Sequence, residues 1–301
     1  MRPGPSVSCI IVAFHRPEAL AGLLDRLRHP QVELVVVNVD NDPTVAAVAG
    51  PLAVALPGNP GYATAVNAGV GHATADVVVF LNDDVSVDSG GVLSLASVVA
   101  DGRADVVLPC VLDGDGRREP TIAALPSPGN LFREWFLLPD ARPRFLAAGA
   151  RPVQKWRAPV VPEPIEAGAA TVVAVAASLI RELPLPQDYF LYWEESDWFW
   201  RLRSVGARVL FDPRVVVRHA GGRDDVRPAK SRLLARNAVR CVRRTQGRRR
   251  AVLAWLVVIL WNARLVALDG LRRLAGSPAA ARRLPARTGG LAAAVGAWRE
   301  L

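Results

Sequence analysis

The sequence predicts an α/β fold, with a mostly parallel sheet covered by helices and a basic α-helical extension at the C-terminus. Three apolar segments of strand length, residues 7–14, 32–39 and 76–81, alternate with segments of helical pattern. Strands that are apolar throughout are typical of a parallel sheet with helices on both faces. Charge separates the extension from the rest: residues 1–222 contain 19 basic and 24 acidic side chains, whereas residues 223–301 contain 18 basic and 4 acidic.

The composition excludes several classes of protein. The chain of 301 residues is 51% hydrophobic, with a mean hydropathy of +0.20, which is too apolar for a disordered protein. Its three cysteines lie far apart without Cys-x-x-Cys spacing. We therefore expect a reducing, cytoplasmic setting, with neither a disulfide framework nor a zinc knuckle. The first apolar segment is too short for a signal peptide and is interpreted as a strand.

The elements of the first half alternate regularly. Pro17 opens a helix whose leucines recur at helical spacing. The second strand ends in a turn at residues 41–43. A short third strand at residues 52–56 is followed by a loop rich in proline and glycine. An alanine-rich helix over residues 62–73 then leads to the fourth strand.

The pattern is less regular in the second half. Residues 113–164 are rich in proline, contain one compact apolar stretch at residues 131–138, and are interpreted as a connection that lines a cleft. Regular structure is predicted to resume at residues 170–180, 189–200, 208–211 and 215–218. The last of these segments leads into His219 and the small residues 220–222.

Polar side chains follow three of the predicted strands. They are His15 and Arg16 after the first strand, Asn38, Asp40, Asn41 and Asp42 around the end of the second, and Asn82, Asp83 and Asp84 after the fourth. Because ligands of open α/β sheets bind beyond the carboxyl ends of the strands, we expect these clusters to face one site. Oxygens of Asn82 and Asp84 can point together at Mg²⁺ or Mn²⁺; the alternative is a polar turn that caps residues 85–87.

A second acidic cluster, Glu194, Glu195 and Asp197, lies among tryptophans. Partial removal from water raises the pKa of a carboxylate, which suits a general base. The alternative is that these acids have no catalytic role and lie at a helix N-terminus, where negative charge is favourable. His219 precedes glycines that let a ligand approach, although a single histidine is more often packed or solvated. Residues 59–69 form a loop at a helix start that can receive an anion, and they match neither the dinucleotide-binding nor the P-loop pattern.

In this order, the motifs resemble glycosyltransferase family 2, which has the GT-A (Rossmann-like) fold, and especially its bacterial rhamnosyltransferase-like members. The resemblance covers roughly residues 6–245. Residues 59–69, NPGYATAVNAG, are similar to the family segment N-x-G-[FY]-A-x-A-x-N-x-G. VVVFLNDDV is similar to the LNPD version of the metal-binding DXD motif. DYFLYWEESDWFWRLRSVGARVLFDPRVVVRHAGG resembles the segment F-x-Y-x-E-D-x-D-x-x-x-R-x-x-x-x-G … P … H, whose last position is His219 here.

The resemblance implies a metal-dependent, inverting transfer of a sugar from a nucleoside diphosphate to an acceptor hydroxyl. The implied ligands of Mg²⁺ or Mn²⁺ are Asp84, Asn82 and His219. The implied general base is Glu195, with Glu194 and Asp197 as rival candidates because the family usually has Asp at the base position. The implied donor-binding residues are Phe14, Arg16, Asn38, Asp40, Asn59, Gly61, Asn67 and Asp83.

Register, donor and domain boundaries follow from the same resemblance. The family usually has Asp-Asn-x-Ser after the second strand, where this chain has Asn-Val-Asp-Asn, so the nucleoside contact falls on either Asn38 or Asp40. The donor is dTDP-rhamnose or a UDP- or GDP-sugar. The implied boundaries are a catalytic domain at 1–225, made of a nucleotide-sugar-binding half at 1–112 and an acceptor and catalytic half at 113–225, and the extension at 226–301.

The arginines and apolar residues of the C-terminal extension indicate where in the cell the protein is located. Its arginines recur on one helical face, at Arg232, Arg236, Arg240 and Arg243. Together with the apolar residues 251–261, they suit a surface of anionic lipids; the alternatives are a solvated face on a packing helix and an acidic partner. A full membrane span would bury Asn262 and Arg264, which is costly. We expect a cytoplasmic enzyme, peripheral on the inner face of the cell membrane, with a carbohydrate or polyprenyl-linked acceptor. Nucleic acid is not expected as a partner.

Two other functions fit the sequence less well than a glycosyltransferase. A nucleotidyltransferase on a related fold needs a triphosphate loop rich in Gly and Lys or Arg after the first strand, and residues 13–17 do not supply one. A non-catalytic basic adaptor for membranes or nucleic acid leaves the acidic clusters at the strand ends unexplained. The sequence therefore favours a metal-dependent glycosyltransferase of cell-wall or surface polysaccharide synthesis.

Overall fold

A computed structural model describes residues 7–136, 157–220 and 227–301. Its strands are β1 (Val7–Ala13), β2 (Val32–Val39), β3 (Ala53–Leu56), β4 (Val77–Asn82), β5 (Val85–Ser86), β6 (Val106–Leu112), β7 (Ile122–Ala123), β8 (Glu163–Pro164), β9 (Ala167–Gly168), β10 (Val172–Ala176) and β11 (Val209–His219). The main sheet has the order β3-β2-β1-β4-β10-β6-β11-β5, with β8 also paired to β11. The short strands β7 and β9 pair separately.

Helices cover this sheet and continue beyond it. They are α1 (Pro17–Leu27), α2 (Pro43–Ala49), α3 (Tyr62–Val70), α4 (Ser89–Ala100), α5 (Pro128–Phe136), α6 (Ala177–Glu182), α7 (Glu194–Ser204), α8 (Pro228–Gln246), α9 (Arg248–Leu274) and α10 (Pro278–Gly296). Short 3₁₀ turns lie at Gly50–Leu52 and Ala297–Glu300.

The sheet separates two apolar cores. Alternate residues of β1 point to opposite faces, as a strand requires. Cys9 and Ile11 pack with leucines of α1 and residues of α4. Ile10 packs on the other face, in the core that includes Phe80 and Trp198 of α7. Because both faces of β1 are covered, its residues are apolar throughout, and the predicted architecture of a sheet between helical layers is confirmed.

Strand directions are mixed, although parallel pairs predominate on one side of the sheet. Strands β1, β2, β3 and β4 form parallel pairs, and β6 is parallel to β11. Strand β10 runs antiparallel between β4 and β6. The carboxyl ends of β1, β2 and β4 therefore meet at one edge, which is where the polar clusters were predicted to converge.

Several elements differ from the sequence interpretation. The predicted turn after β2 leads into a helix, α2, and α4 and β6 lie where no element was predicted. The segments expected at residues 208–211 and 215–218 belong to the single strand β11, whose pairing with β6 is interrupted between Asp212 and Val216. The apolar stretch predicted at 131–138 belongs to helix α5 as far as residue 136. Three predicted features lie outside the described residues: the end of this stretch at 137–138, the glycines at 221 and 222, and the domain boundary at 225.

The C-terminal helices pack on one another and on helices α5 and α7. Helix α8 packs against α7, and α9 packs against α5, α8 and α10. Among the described helices, only α9 has the length and apolar composition to cross a membrane, with a mean hydropathy of 2.1 over its most apolar window, of which 22% is buried. Three of the four arginines on the predicted basic face of α8 have partners within the chain. Arg236 and Arg240 pair with Glu300, and Arg243 donates a hydrogen bond to the Leu301 oxygen.

Candidate functional site

Strained backbone marks the edge of the sheet where the polar clusters lie. Among the described residues, five that are not glycine have a positive φ: His15, Asp40, Asn41, Tyr192 and Trp193. The first follows β1, the next two follow β2, and the last two precede α7. Such conformations cost about 1–3 kcal/mol each and persist where the surrounding structure holds them, commonly at functional sites. The strain therefore points to the same edge as the charge pattern.

A tight turn joins β4 to β5 and carries two of the predicted carboxylates. The Phe14 amide donates a hydrogen bond to Asp83 Oδ2 over 2.8 Å, which ties the end of β1 to this turn. Arg16 forms an ion pair with Asp84. Burial raises the pKa of Asp83 to about 6, and the charge of Asp84 adds to that effect, although the Phe14 amide opposes it. The first and fourth strand ends thus form one unit.

Asp84 and His219 meet because β5 pairs with the end of β11. Asp84 Oδ1 lies 3.4 Å from His219 Nε2, and the Ala220 amide donates to the Asp84 carbonyl over 2.9 Å. His219 Nδ1 lies 3.3 Å from Glu119 Oε1. The contact with Asp84, followed by the charge of Glu119, raises the pKa of His219. Burial alone would raise the pKa of Asp84, but His219 and Arg16 outweigh it and lower that pKa.

This pair has the chemistry of a divalent-cation site. Asp84 Oδ1 is buried and makes no hydrogen bond within the described part of the chain, and it faces an imidazole nitrogen. Asn82 lies two residues away at the end of β4. A cavity of about 240 Å³ borders Asp84 and His219 and is also lined by Arg218. No cluster of three His, Cys, Asp or Glu side chains around one point occurs among the described residues, so a bound cation would need further oxygen atoms from its ligand.

Two adjacent glutamates begin α7. Glu194 is buried, and its Oε2 atom has no hydrogen-bond partner among the described residues. Burial, followed by the charge of Glu195, raises the pKa of Glu194 to about 9. Burial also raises the pKa of the half-buried Glu195. Two carboxylates this close do not both ionise readily. Burial and the mutual repulsion of the two carboxylates therefore raise both pKa values and favour keeping a proton on the pair.

Asp197 has a different environment. It is buried in the same first turn of α7. Its Oδ2 atom accepts hydrogen bonds from the Tyr189 hydroxyl over 2.9 Å and from Arg244 Nε over 2.8 Å. These contacts occupy the carboxylate and join α7 to α8. The three predicted acids thus lie in the first turn of one helix, as the alternative interpretation expected, and the structure pairs the Asp197 carboxylate with a tyrosine and an arginine.

The loop before α3 packs directly on the segment that precedes the glutamates. Gly61 has φ +98°, and a Cβ atom there would lie 2.1 Å from the Phe190 carbonyl oxygen. The Asn59 side chain accepts from the Gly61 amide over 3.2 Å, and the Tyr62 amide donates to Phe190 O over 3.2 Å. Glycine is required because both the conformation and the close approach exclude a side chain. The loop therefore packs against the segment at 190–193. Its Gly61 and Tyr62 amides already donate hydrogen bonds within the chain, so they are not free to bind an anion.

Tyr62 links the two acidic clusters. Its hydroxyl donates to the Ala170 carbonyl over 3.0 Å. Burial raises its pKa, and so do the negative charges of four carboxylates, those of Glu194, Glu195, Asp84 and Asp83. The tyrosine is therefore within electrostatic reach of both the turn after β4 and the start of α7. The sequence analysis placed Tyr62 at the [FY] position of the family segment but assigned it no role, because its neighbours in the fold are far apart in sequence.

The predicted nucleoside residues lie at the ends of β1 and β2. Asn38 exchanges hydrogen bonds with the Asp42 backbone, at 2.9 and 3.0 Å, and so holds the turn between them. Asp40 is exposed on this turn, 3.6 Å from His15 Nε2, and His15 Nδ1 pairs with Asp42. Of the two alternatives for the nucleoside contact, only Asp40 keeps its side chain open to a ligand. The exposed Phe14 ring lies beside them, 4.2 Å from that of His15.

Asn67 lies away from these groups. Its amide donates to the Leu185 carbonyl over 2.8 Å and accepts from the Leu185 amide over 3.1 Å. It therefore fixes the chain leading to the glutamates. Glu119 was not predicted, because its pairing with His219 spans 100 residues and no local pattern announces it.

Residues 8–146 match the model of a protein family described as glycosyl transferase family 2. Over 141 residues, the chain is 33% identical to an uncharacterized glycosyltransferase of Mycobacterium tuberculosis, an alignment that covers 44% of this chain and 60% of the relative. The chain thus spans about three fifths of the length of the curated relatives it matches. Over residues 8–146 these matches bear out the predicted resemblance to the family, and they do not extend to the rhamnosyltransferase-like subtype.

Solved structures share the fold. One is a mannosyltransferase from Pyrobaculum calidifontis in complex with GDP-Man and Mn²⁺, with a TM-score of 0.56 and 16% identity, covering 99% of this chain and 88% of that one. Another is glucosyl-3-phosphoglycerate synthase from Mycobacterium tuberculosis in complex with Mg²⁺ and UDP, with a TM-score of 0.52 and 16% identity, covering 81% and 80%. The predicted GT-A fold is confirmed.

Proposed function

We propose that the chain transfers a sugar, with inversion, from a nucleoside diphosphate to an acceptor hydroxyl, a proposal supported by the match of residues 8–146 to the glycosyl transferase family 2 model. One observation supports this most strongly. The Asp84–His219 pair, which can bind a cation, and the buried pair Glu194 and Glu195 are joined through Tyr62, whose pKa is raised by the charges of Asp84, Glu194 and Glu195. Glycosyl transfer needs both a group that neutralises the leaving diphosphate and a base for the acceptor.

In this proposal, Asp84 and His219 hold Mg²⁺ or Mn²⁺, with Asn82 as the third predicted ligand. When bound, the cation neutralises negative charge on the departing diphosphate. Arg16 now pairs with Asp84, and it is free to turn to a phosphate oxygen when Asp84 binds a cation. Asp83 keeps the end of β1 in place through the Phe14 amide.

Glu195 accepts the proton of the acceptor hydroxyl. Glu194 beside it keeps its own proton at neutral pH, because ionising both would place two charges in one buried site. Asp197 does not take this role in the proposal, since Tyr189 and Arg244 occupy it. A single base on the side opposite the leaving group leads to inversion at the anomeric carbon.

The donor lies along the ends of β1 and β2, with its nucleoside near Phe14 and Asp40. The resemblance to rhamnosyltransferase-like members makes dTDP-rhamnose the first donor to test, followed by UDP- and GDP-sugars. A lipid-linked acceptor fits the proposed location on the inner face of the cell membrane. That location would place the chain in cell-wall or surface polysaccharide synthesis.

Helix α9 supplies the proposed membrane contact. Exposed leucines recur along one side of it, at Leu253, Leu256, Leu260, Leu271 and Leu274. Exposed arginines lie at its start and on the same side, at Arg248, Arg249 and Arg264. An apolar stripe bordered by arginines suits a helix lying in the interface of an anionic bilayer.

The transferase proposal is tested with the purified full chain, a panel of dTDP-, UDP- and GDP-sugars, and Mn²⁺ or Mg²⁺. We expect one donor to bind and to release its nucleoside diphosphate only when the cation is present. The absence of both binding and release with every donor would overturn the proposal.

The membrane proposal is tested by vesicle sedimentation with phosphatidylglycerol-containing and neutral vesicles. Serine at Leu253, Leu256 and Leu260 should abolish binding to the anionic vesicles. The matched control is serine at Val160 and Val161, which are exposed on the catalytic part and should leave binding unchanged. Equal binding by the leucine variant and the wild type would contradict the proposed surface.

A further inference from the structure

The C-terminal helix α8 contacts the chain on both sides of the two glutamates. Trp193 Nε1 donates to the Leu234 carbonyl over 3.1 Å, and Arg240 donates to the Asp188 carbonyl. These contacts join residues 188–193, which lead into α7, to a helix beyond the region of the family match. We infer that α8 is a positioning element for the catalytic acids, with Asn237 and Arg244 as its positioning residues. The inference rests on the proposed function of Glu195.

Asn237 holds the strained turn before the glutamates. Its side chain is buried, with 3% exposure, and its Nδ2 group donates to the carbonyls of Leu191 and Tyr192 at 3.0 and 3.2 Å. Tyr192 and Trp193 have φ values of 68° and 77°. Two consecutive left-handed residues need external support, and one amide group supplies it at the carbonyls of this turn. Their conformation sets the direction in which Glu194 and Glu195 leave the turn.

Arg244 fixes the other side of the same segment. Its Nε atom lies 2.8 Å from Asp197 Oδ2 and its Nη1 atom lies 2.8 Å from Asp188 Oδ2, so one guanidinium joins residues on either side of the glutamates. Tyr189 donates to the same Asp197 oxygen. A planar guanidinium can serve two carboxylates in fixed directions, which an ammonium group cannot.

The basic face of α8 therefore has partners within the chain. Arg236 and Arg240 pair with Glu300, and this pairing draws the last 3₁₀ turn against α8. Within the described part of the chain, the hydrogen bonds and ion pairs of Asn237 and Arg244 do not involve the strand ends proposed to bind the donor. Loosening α8 should consequently change the geometry of the base and leave donor affinity as it is.

Hydrogen exchange of the full chain tests the inference without any substrate. In Asn237→Leu, which keeps the shape and removes the donor, the Asp197 amide, which bonds to Trp193 O, should exchange about tenfold faster or more. Amides of β4 should keep their wild-type rates. The control is Asn262→Leu, the same change at a buried asparagine that bonds within its own helix α9; it should leave both sets unchanged. An Asp197 amide at the wild-type rate in Asn237→Leu would overturn the inference.

A second variant covers the case in which Asn237→Leu does not fold. Arg244→Lys keeps the charge, but its single ammonium group cannot replace the contacts to both Asp197 and Asp188. The same faster exchange is expected at the Asp197 amide, and unchanged exchange overturns the inference.

Turnover supplies a readout that a purely structural role would not move. With a donor accepted by the wild type, Asn237→Leu should lower kcat about tenfold or more and leave the donor KM unchanged, whereas Asn262→Leu should match the wild type in both. A raised donor KM with an unchanged kcat would overturn the inference. If the wild type accepts no donor, the proposed function fails, while hydrogen exchange still decides whether α8 holds the segment.

Discussion

Replacing Glu194 by glutamine should stabilise the protein at neutral pH, by an amount that grows with pH. Glu194 has 4% exposure, and Oε2 has no hydrogen-bond partner within the described residues. Burial and then the charge of Glu195 raise its pKa from 4.5 to about 9. Glutamine has nearly the same shape as the protonated acid and never ionises. It therefore removes the free-energy cost of keeping this carboxyl protonated in the folded state, without changing the packing.

The sign and size follow from proton linkage. In the unfolded chain this carboxyl releases its proton near pH 4.5, whereas folded Glu194 keeps it up to about pH 9. The folded state therefore binds more protons between these values, and the wild-type free energy of unfolding falls by about 1.4 kcal/mol per pH unit. From pH 4.5 to neutral pH this loss reaches roughly 3 kcal/mol. The glutamine variant lacks this loss.

The assay is urea unfolding followed by tryptophan fluorescence, from about pH 5 to about pH 8. The difference in unfolding free energy between Glu194→Gln and the wild type should widen steadily over this range. The control is Glu18→Gln, at an exposed position in the first turn of α1, where the difference should stay constant. A constant difference for Glu194→Gln as well would refute the conclusion that the folded site keeps Glu194 protonated.

Two further predictions concern the loop and the cation pair. Gly61→Ala should destabilise the protein by about 2–4 kcal/mol in urea unfolding, because its Cβ meets Phe190 O. Gly58→Ala, at φ +65° with open space around it, should cost only about 1 kcal/mol, and equal losses would contradict the close-approach argument. Asp84→Asn should weaken Mn²⁺ binding about tenfold or more in a calorimetric titration, whereas Asp76→Asn, at an exposed position, should not. Unchanged Mn²⁺ affinity in Asp84→Asn would remove it from the cation site.

The fold was predictable where local pattern reflects burial. Strands β1, β2 and β4 are apolar throughout because helices cover both faces, and their polar ends follow directly in the sequence. The direction of β10 was not predictable, since five apolar residues look the same in a parallel or an antiparallel pair. Helix α2 was missed because Asp42, which caps it, is also a typical turn residue.

The site was predictable in its residue types but not in its partners. The turn at Asp83 and Asp84 and the acids of α7 are visible in the chain because each lies within one short segment. The contacts of Glu119, Asn237 and Glu300 join elements far apart in sequence. The arginines of α8 illustrate this: their spacing predicts one basic face, but not that Glu300 pairs with two of its members, Arg236 and Arg240.

The most direct test of the central claim is a single-turnover transfer assay with Glu195→Gln, in the presence of Mn²⁺ and a donor that the wild type accepts. Removing a general base typically slows transfer about 10²–10⁴-fold, and donor binding, measured separately, should equal that of the wild type. The exposed Glu18→Gln should transfer at the wild-type rate. We expect a Glu195→Gln protein that binds the donor and does not transfer the sugar. A Glu195→Gln protein that transfers the sugar at the wild-type rate would contradict the role of Glu195 as the general base.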